Sequence, residues 1–186
     1  MEKDFRQDIK PEILKFVLYG PESTGKTTLA KQLAAHYKTV WVPEYMRTYF
    51  EKKWKGKSGK SVVEDLEPIA KGQINWENEQ LLKANKYLFC DTDLLELKVY
   101  AEAYFNGFCP PKIATFAHQN TYALYFLTYI DTPWQADGLR DKPSEREKMF
   151  NAFEDALIKA KKPYVILKGS QEERLQRAIE VIEKRK

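Results

Sequence analysis

Gly20, Gly25, Lys26 and Thr27 stand at the spacing GxxxxGK[ST] within Gly20-Pro-Glu22-Ser23-Thr24-Gly25-Lys26-Thr27-Thr28. Set between a strand and a helix, such a run turns successive backbone N–H groups and the positive end of the helix toward one point, where nucleotide phosphates can sit. In that arrangement Lys26 would neutralise β and γ oxygens, and the Thr27 hydroxyl could hold Mg2+. Glu22, Ser23, Thr24 and Thr28 would complete the ATP cradle beside them.

Phosphoryl transfer also needs carboxylates, either to hold the metal or to take the proton of an attacking hydroxyl. Three candidates follow apolar runs: Glu44 after Thr39–Pro43, and Asp91 and Asp93 in Cys90-Asp91-Thr92-Asp93. Asp91 fits a metal ligand or a base. Asp93 could equally cap the helix that follows it, and Glu44 is the competing proton acceptor. Downstream, Asp131 to Arg146 carries Trp134, Asp137 and Arg140 in a polar, Pro- and Gly-bearing stretch, which suits a lid over the phosphates from about 131 to 146. There Arg140 is the candidate for stabilising charge on the transferring phosphoryl group.

The elements that must position these residues follow from hydrophobic periodicity. Ile13–Tyr19, Thr39–Pro43, Tyr87–Cys90, Ala123–Tyr129 and Tyr164–Leu167 read as strands. Helical patterns cover Thr27–Tyr37, Glu44–Trp54, Val63 to about Asn85 with a break near Gly72, Asp93–Phe105, a stretch capped by Ser144-x-x-Glu147, and one capped by Ser170-x-x-Glu173. Strands that are apolar throughout and alternate with helices predict an α/β domain whose mostly parallel sheet is covered on both faces, with ligands at the carboxyl ends of its strands. One domain, 1–186, is expected from the length.

Composition narrows the function. The 31 basic against 27 acidic residues leave +4, too mild for a dedicated nucleic-acid binder, and 13% aromatics exclude a disordered chain. No apolar stretch approaches the roughly 18–20 residues that span a bilayer. The charged start has no signal-like apolar region, and Cys90 and Cys109 lack zinc or redox spacing, so a cytoplasmic location with reduced thiols is expected. The five lysines of Lys52–Lys60 read as a solvated loop. A guanine-specific switch is disfavoured because Asn85-Lys86 continues into Tyr87-Leu88 instead of an NKxD-type sequence. A regulatory NTP switch and an RNA-associated ATPase stay open beside a kinase.

Together the phosphate loop, Glu44-Tyr45-Met-Arg47-x-Tyr49, Ile69-Ala-Lys-Gly-Gln73, Asp91-Thr-Asp93 and Thr132-Pro-Trp-Gln-Ala-Asp-Gly-Leu-Arg140 resemble the ribosylnicotinamide kinase domain of NadR-type proteins over about residues 14–182. That resemblance implies a three-layer P-loop kinase fold with strand order 2-3-1-4-5, ATP and Mg2+ as cofactors, and phosphorylation of nicotinamide riboside to nicotinamide mononucleotide. It places Glu44, Tyr45, Arg47, Gln73, Asp93, Trp134 and Asp137 at the nucleoside. No room is expected for the adenylyltransferase or helix-turn-helix parts of multidomain members. A flat pyridinium cation would suit the aromatic faces and carboxylates of Tyr45, Trp134, Glu44 and Asp137. The expected partner is thus a small-molecule nucleoside, with no nucleic acid and no membrane; oligomeric state is left open.

Overall fold

A computed structural model describes residues 5–55, 57, 59–134 and 143–185. Five parallel strands, β1 (Leu14–Tyr19), β2 (Trp41–Val42), β3 (Tyr87–Asp91), β4 (Leu124–Thr128) and β5 (Tyr164–Leu167), form one sheet in the order β2-β3-β1-β4-β5. The α/β architecture and the strand order are those implied by the motifs. Side chains along a strand alternate between faces, so in β1 Phe16 and Leu18 enter one core and Val17 and Tyr19 the other. Because helices cover both faces, every second position is apolar on either side. That is why the run reads as continuous instead of alternating.

Two helices, α1 (Lys26–His36) and α7 (Gln171–Glu183), cover the face of Phe16 and Leu18 with Leu29, Leu33, Ala178 and Ile182. The opposite face carries α2 (Tyr45–Trp54), α3 (Leu66–Leu81), α4 (Leu94–Tyr104), α5 (Pro111–Gln119) and α6 (Arg146–Lys159). Among the described residues, no helix is long and apolar enough to cross a membrane.

Four sequence expectations need correction. Helix α3 runs unbroken through Gly72, where a Cβ would land inside the ring of Tyr45, so this glycine serves close packing rather than a break. Gly107 with Pro110-Pro111, which from sequence reads as a break in the chain, leads instead into α5, which Pro111 starts at the position where proline's missing N–H costs nothing. The Ser144 capping box is not formed. A 3₁₀ turn at Pro143–Glu145 precedes α6, whose N-cap is Glu145 without a side-chain cap. Lys52 and Lys53 belong to α2 instead of a loop, and Lys53 donates to the buried Asp65 at 2.6 Å. The Ser170–Glu173 box, by contrast, forms in both directions.

Candidate active site

The phosphate loop joins β1 to α1. Gly25 has φ +83°, a left-handed conformation that a residue with a Cβ adopts with strain, and it lets α1 begin at Lys26. Outward carbonyls of the loop are held from behind. Arg174, fully buried on α7, donates to Thr24 O at 2.6 Å, Gly169 O at 2.9 Å and Tyr129 O at 3.0 Å, and pairs with Asp131. Arg146 reaches Thr132 O at 2.7 Å and Ser23 O at 3.3 Å, while Thr132 Oγ1 donates to Ser23 O at 2.9 Å. The bonds to Ser23 O and Thr24 O brace the loop from behind.

Lys26 Nζ donates to Gly20 O at 2.7 Å and Pro21 O at 2.9 Å and lies 3.4 Å from Glu96 Oε1. Thr27 Oγ1 donates to Asp91 Oδ2 at 2.5 Å. Asp91 ends β3, beside Leu18 of β1, so strand register alone brings it to the loop. Burial pushes its carboxyl up to about 6; neighbouring Glu44 adds to the rise and Lys26 opposes it.

Thr92 has φ +78°, rare for a β-branched residue, and the reversal splays its two neighbours. Asp91 faces the loop. Asp93 turns inward, accepting from Glu96 N at 3.0 Å as the cap of α4 and from Tyr125 OH at 2.7 Å. Burial holds Asp93 at about 6 against those hydrogen bonds.

A cleft of about 740 Å³ unites most of the residues singled out from the sequence. Its lining includes Glu22, Ser23, Thr24, Gly25, Lys26, Thr27 and Thr28 of the loop, Asp91, and Glu44 with Arg47, whose Nε lies 4.0 Å from Glu44. The same lining carries the aromatic side chains of Phe50 and Trp54 from α2 and of Tyr100, Tyr104 and Phe105 on and just past α4, with Lys60 and Asp65 among its polar members.

Several expected acceptor residues stand elsewhere. Tyr45 lies over Gly72 and edge-on to Trp76 at 4.8 Å, outside the cleft lining. Gln73 fixes the β2–α2 turn, accepting from Tyr45 N at 2.8 Å and donating to Pro43 O at 3.2 Å. It borders, with Asp93 and Glu44, a small side cavity of about 20 Å³. Trp134 is half-buried beyond the lining residues Thr132 and Pro133, its indole Nε1 without a hydrogen-bond partner among the described residues. Asp137 and Arg140 lie outside the described residues, as do residues 135–142 of the 131–146 stretch as a whole.

Sequence reading missed Glu96, Arg174 and the aromatic wall of α4. Glu96 sits beneath the loop, 1% exposed, its Oε2 accepting from Gly20 N at 3.2 Å. Burial pushes it up to about 8, with Lys26 opposing and Glu44, Asp91 and Asp93 contributing. The one local signal was Asp93-x-x-Glu96, which has the form of a helix-capping box.

A family model described as AAA domain matches residues 15–174, most of the chain. The chain belongs to the AAA domain family. Its curated relatives include the trifunctional NAD biosynthesis/regulator protein NadR of Salmonella typhimurium (strain LT2) and that of Escherichia coli (strain K12). Each is 30% identical over 152 residues, which is 81% of this chain and 36% of theirs. The AAA domain described here thus spans about a third of the curated relatives' length, and the homology bears out the NadR-type resemblance of the motifs. Among solved structures, NadR protein in complex with NR superposes with a TM-score of 0.78 at 22% identity, over 93% of this chain and 51% of that one. Deoxyadenosine kinase from M. mycoides gives 0.66 at 13% identity, over 93% of this chain and 100% of that one. At these identities the structural likeness concerns the fold.

Proposed function

We propose that this domain transfers the γ-phosphoryl group of ATP to the 5'-hydroxyl of nicotinamide riboside, giving nicotinamide mononucleotide and ADP. The observation that carries the reading is the cleft itself, which joins phosphate-loop groups, the carboxylates Glu44 and Asp91, and a set of aromatic side chains in one lining, in a chain homologous to part of NadR. Glu44 is the carboxylate best placed to take the hydroxyl proton, because Asp91 is engaged with Thr27. The hydroxyl oxygen would bond to the γ-phosphorus as the bond to the β–γ bridging oxygen breaks. Lys26 stabilises charge on the transferring group, and Arg140 is proposed to add to it from the lid.

The paired oxygens of Thr27 and Asp91 fit Mg2+, which commonly takes one or two protein ligands with phosphate oxygens and water completing its shell. Among the described residues no larger metal-binding cluster of His, Cys, Asp or Glu occurs, as that mode of binding allows. When bound, the ion supplies charge neutralisation on the β and γ oxygens. The purified protein should release ADP fastest with nicotinamide riboside in a coupled assay that also includes uridine and adenosine. ADP release that ignores every added nucleoside would sink the kinase reading, and preference for an uncharged nucleoside would sink only the choice of acceptor.

A further inference from the structure

Glu96 is a buried acid beneath the phosphate loop, and it touches the loop at two points. Its Oε2 accepts from the N–H of Gly20, the first loop residue, and its Oε1 lies 3.4 Å from the Lys26 ammonium. A glutamate three residues after a capping Asp commonly folds back onto the cap. Here the carboxylate is directed to the next strand's loop instead, so its contacts concern the loop rather than the helix end. The ammonium is curled onto the carbonyls of Gly20 and Pro21 and is held there beside the carboxylate.

We propose that Glu96 is a positioning residue for Lys26: as the carboxylate it retains the ammonium at the base of the loop, and as the neutral acid it yields the ammonium to the phosphates. The inference rests on the reading that a nucleoside triphosphate occupies this loop, and is independent of the acceptor. It assigns to the domain a coupling between nucleotide binding and proton uptake.

Charge around Glu96 supports the coupling. From the loop and β1 it faces Lys26 and the Tyr19 hydroxyl; from the β2–α2 turn, Glu44; from the end of β3, Asp91 and Asp93; along α4, Tyr100. Lys26 is therefore the one cation named among those groups, set against three other carboxylates. A triphosphate that draws the ammonium toward itself takes away the group that favours ionised Glu96 and brings further negative charge nearby. Both changes favour the protonated acid. The carboxyl is already displaced upward to about 8, so the exchange falls in an accessible range, whereas Asp91 and Asp93, at about 6, are largely ionised at pH 8.

Titration calorimetry of the wild-type protein with ATP in EDTA, at pH 8 in two buffers of different ionisation enthalpy, reads the proton count directly. A displacement of about one pH unit on binding gives roughly 0.4 proton taken up per ATP. Across pH 7.5 to 9.5 the ATP Kd should rise about sixfold by the same linkage. Glu96→Gln keeps an oxygen for the Gly20 N–H and cannot ionise. It should bind ATP more tightly than wild type at pH 9.5 and show less than about a twofold change over that range. Uptake below about 0.1 proton by the wild type, or a Gln variant that keeps the wild-type pH slope, overturns the assignment. The wild-type count decides alone if the variant does not fold, and a wild type that binds no ATP removes the phosphate-loop reading and this inference together.

Discussion

At the N-terminal ends of the strands, Glu77 of α3 accepts hydrogen bonds from Lys15 of β1 at 2.8 Å, from Gln7 at 2.7 Å and from Tyr122 at 2.8 Å. At the C-terminal ends of the same sheet, Asp91 and Glu96 face Lys26, with Glu44 and the inward-turned Asp93 close by. Both clusters bury charge. The lower one matches a carboxylate to an ammonium and fills its remaining lone pairs, tying the N-terminal segment to α3 through Gln7 and through the Asn78 side chain, which binds Asp8 N and Arg6 O. The upper one leaves acids in excess, with three carboxyls displaced upward by burial. A balanced cluster serves the fold, while an acid-rich one serves ligands that bring their own cations or accept protons.

Breaking the lower cluster should have the largest effect. Glu77→Ala leaves the Lys15 ammonium buried without its partner, and losing one member of a buried pair costs about 3–5 kcal/mol. The expected drop in melting temperature is roughly 6–20 °C for a domain of this size, with turnover per folded molecule unchanged. A variant that melts normally but loses ADP release would reverse the roles given to the two ends.

Lys26→Ala tests the upper end. Turnover should fall by about 10²–10³-fold, the usual worth of a group acting on developing charge, while the circular dichroism spectrum stays that of the wild type. More than about a tenth of wild-type ADP release would contradict the role.

Asp91→Asn should move stability and activity in opposite directions. A carboxyl raised from 3.8 to about 6 by folding favours its protonated form, so its contribution to stability is present below pH 4 and disappears as pH rises through 6. This group should therefore cost the wild type stability as pH rises from about 4 to 7, and the amide variant should melt higher than wild type at pH 8, by an amount on the order of 1–3 kcal/mol. Its kcat should fall and its Mg2+ requirement rise. Glu44→Gln should lower kcat without the changed Mg2+ requirement. Denaturation at pH 5 and 8, with a Mg2+ titration of both variants, separates metal ligand from proton acceptor.

The same contrast explains what could be read from the chain alone. The phosphate loop is contiguous, and Asp91 follows an apolar strand directly, so sequence order sufficed for both. Glu96 and Arg174 act through contacts with residues far along the chain, Gly20 and Thr24, and such pairings leave no local pattern. Arg174 stood within an amphipathic helix, where an arginine ordinarily means solvent. Tyr45 had the chemistry of a ring platform, but only packing reveals that its face is taken by Gly72 and Trp76. The helix α5 was missed because two prolines read as a break when one of them was a start.

The smallest effects concern the aromatic side chains of the cleft, and there the two candidate walls can be set against each other. Tyr104 lines the cleft, whereas Trp134 is not among its lining residues. A cationic ring against an aromatic face is worth about 0.5–2 kcal/mol, so Tyr104→Leu should lower kcat/KM for nicotinamide riboside by roughly 2- to 30-fold. Its effect on uridine should be slight, since leucine replaces the apolar area but not the quadrupole, and the KM for ATP should not change because the phosphate loop supplies the contacts proposed for ATP. Trp134→Ala is the counterpart. If it proves the more harmful for the riboside while Tyr104→Leu is silent, the ring binds beneath the 131–146 segment, and the aromatic side chains of α2 and α4 serve some other part of the acceptor.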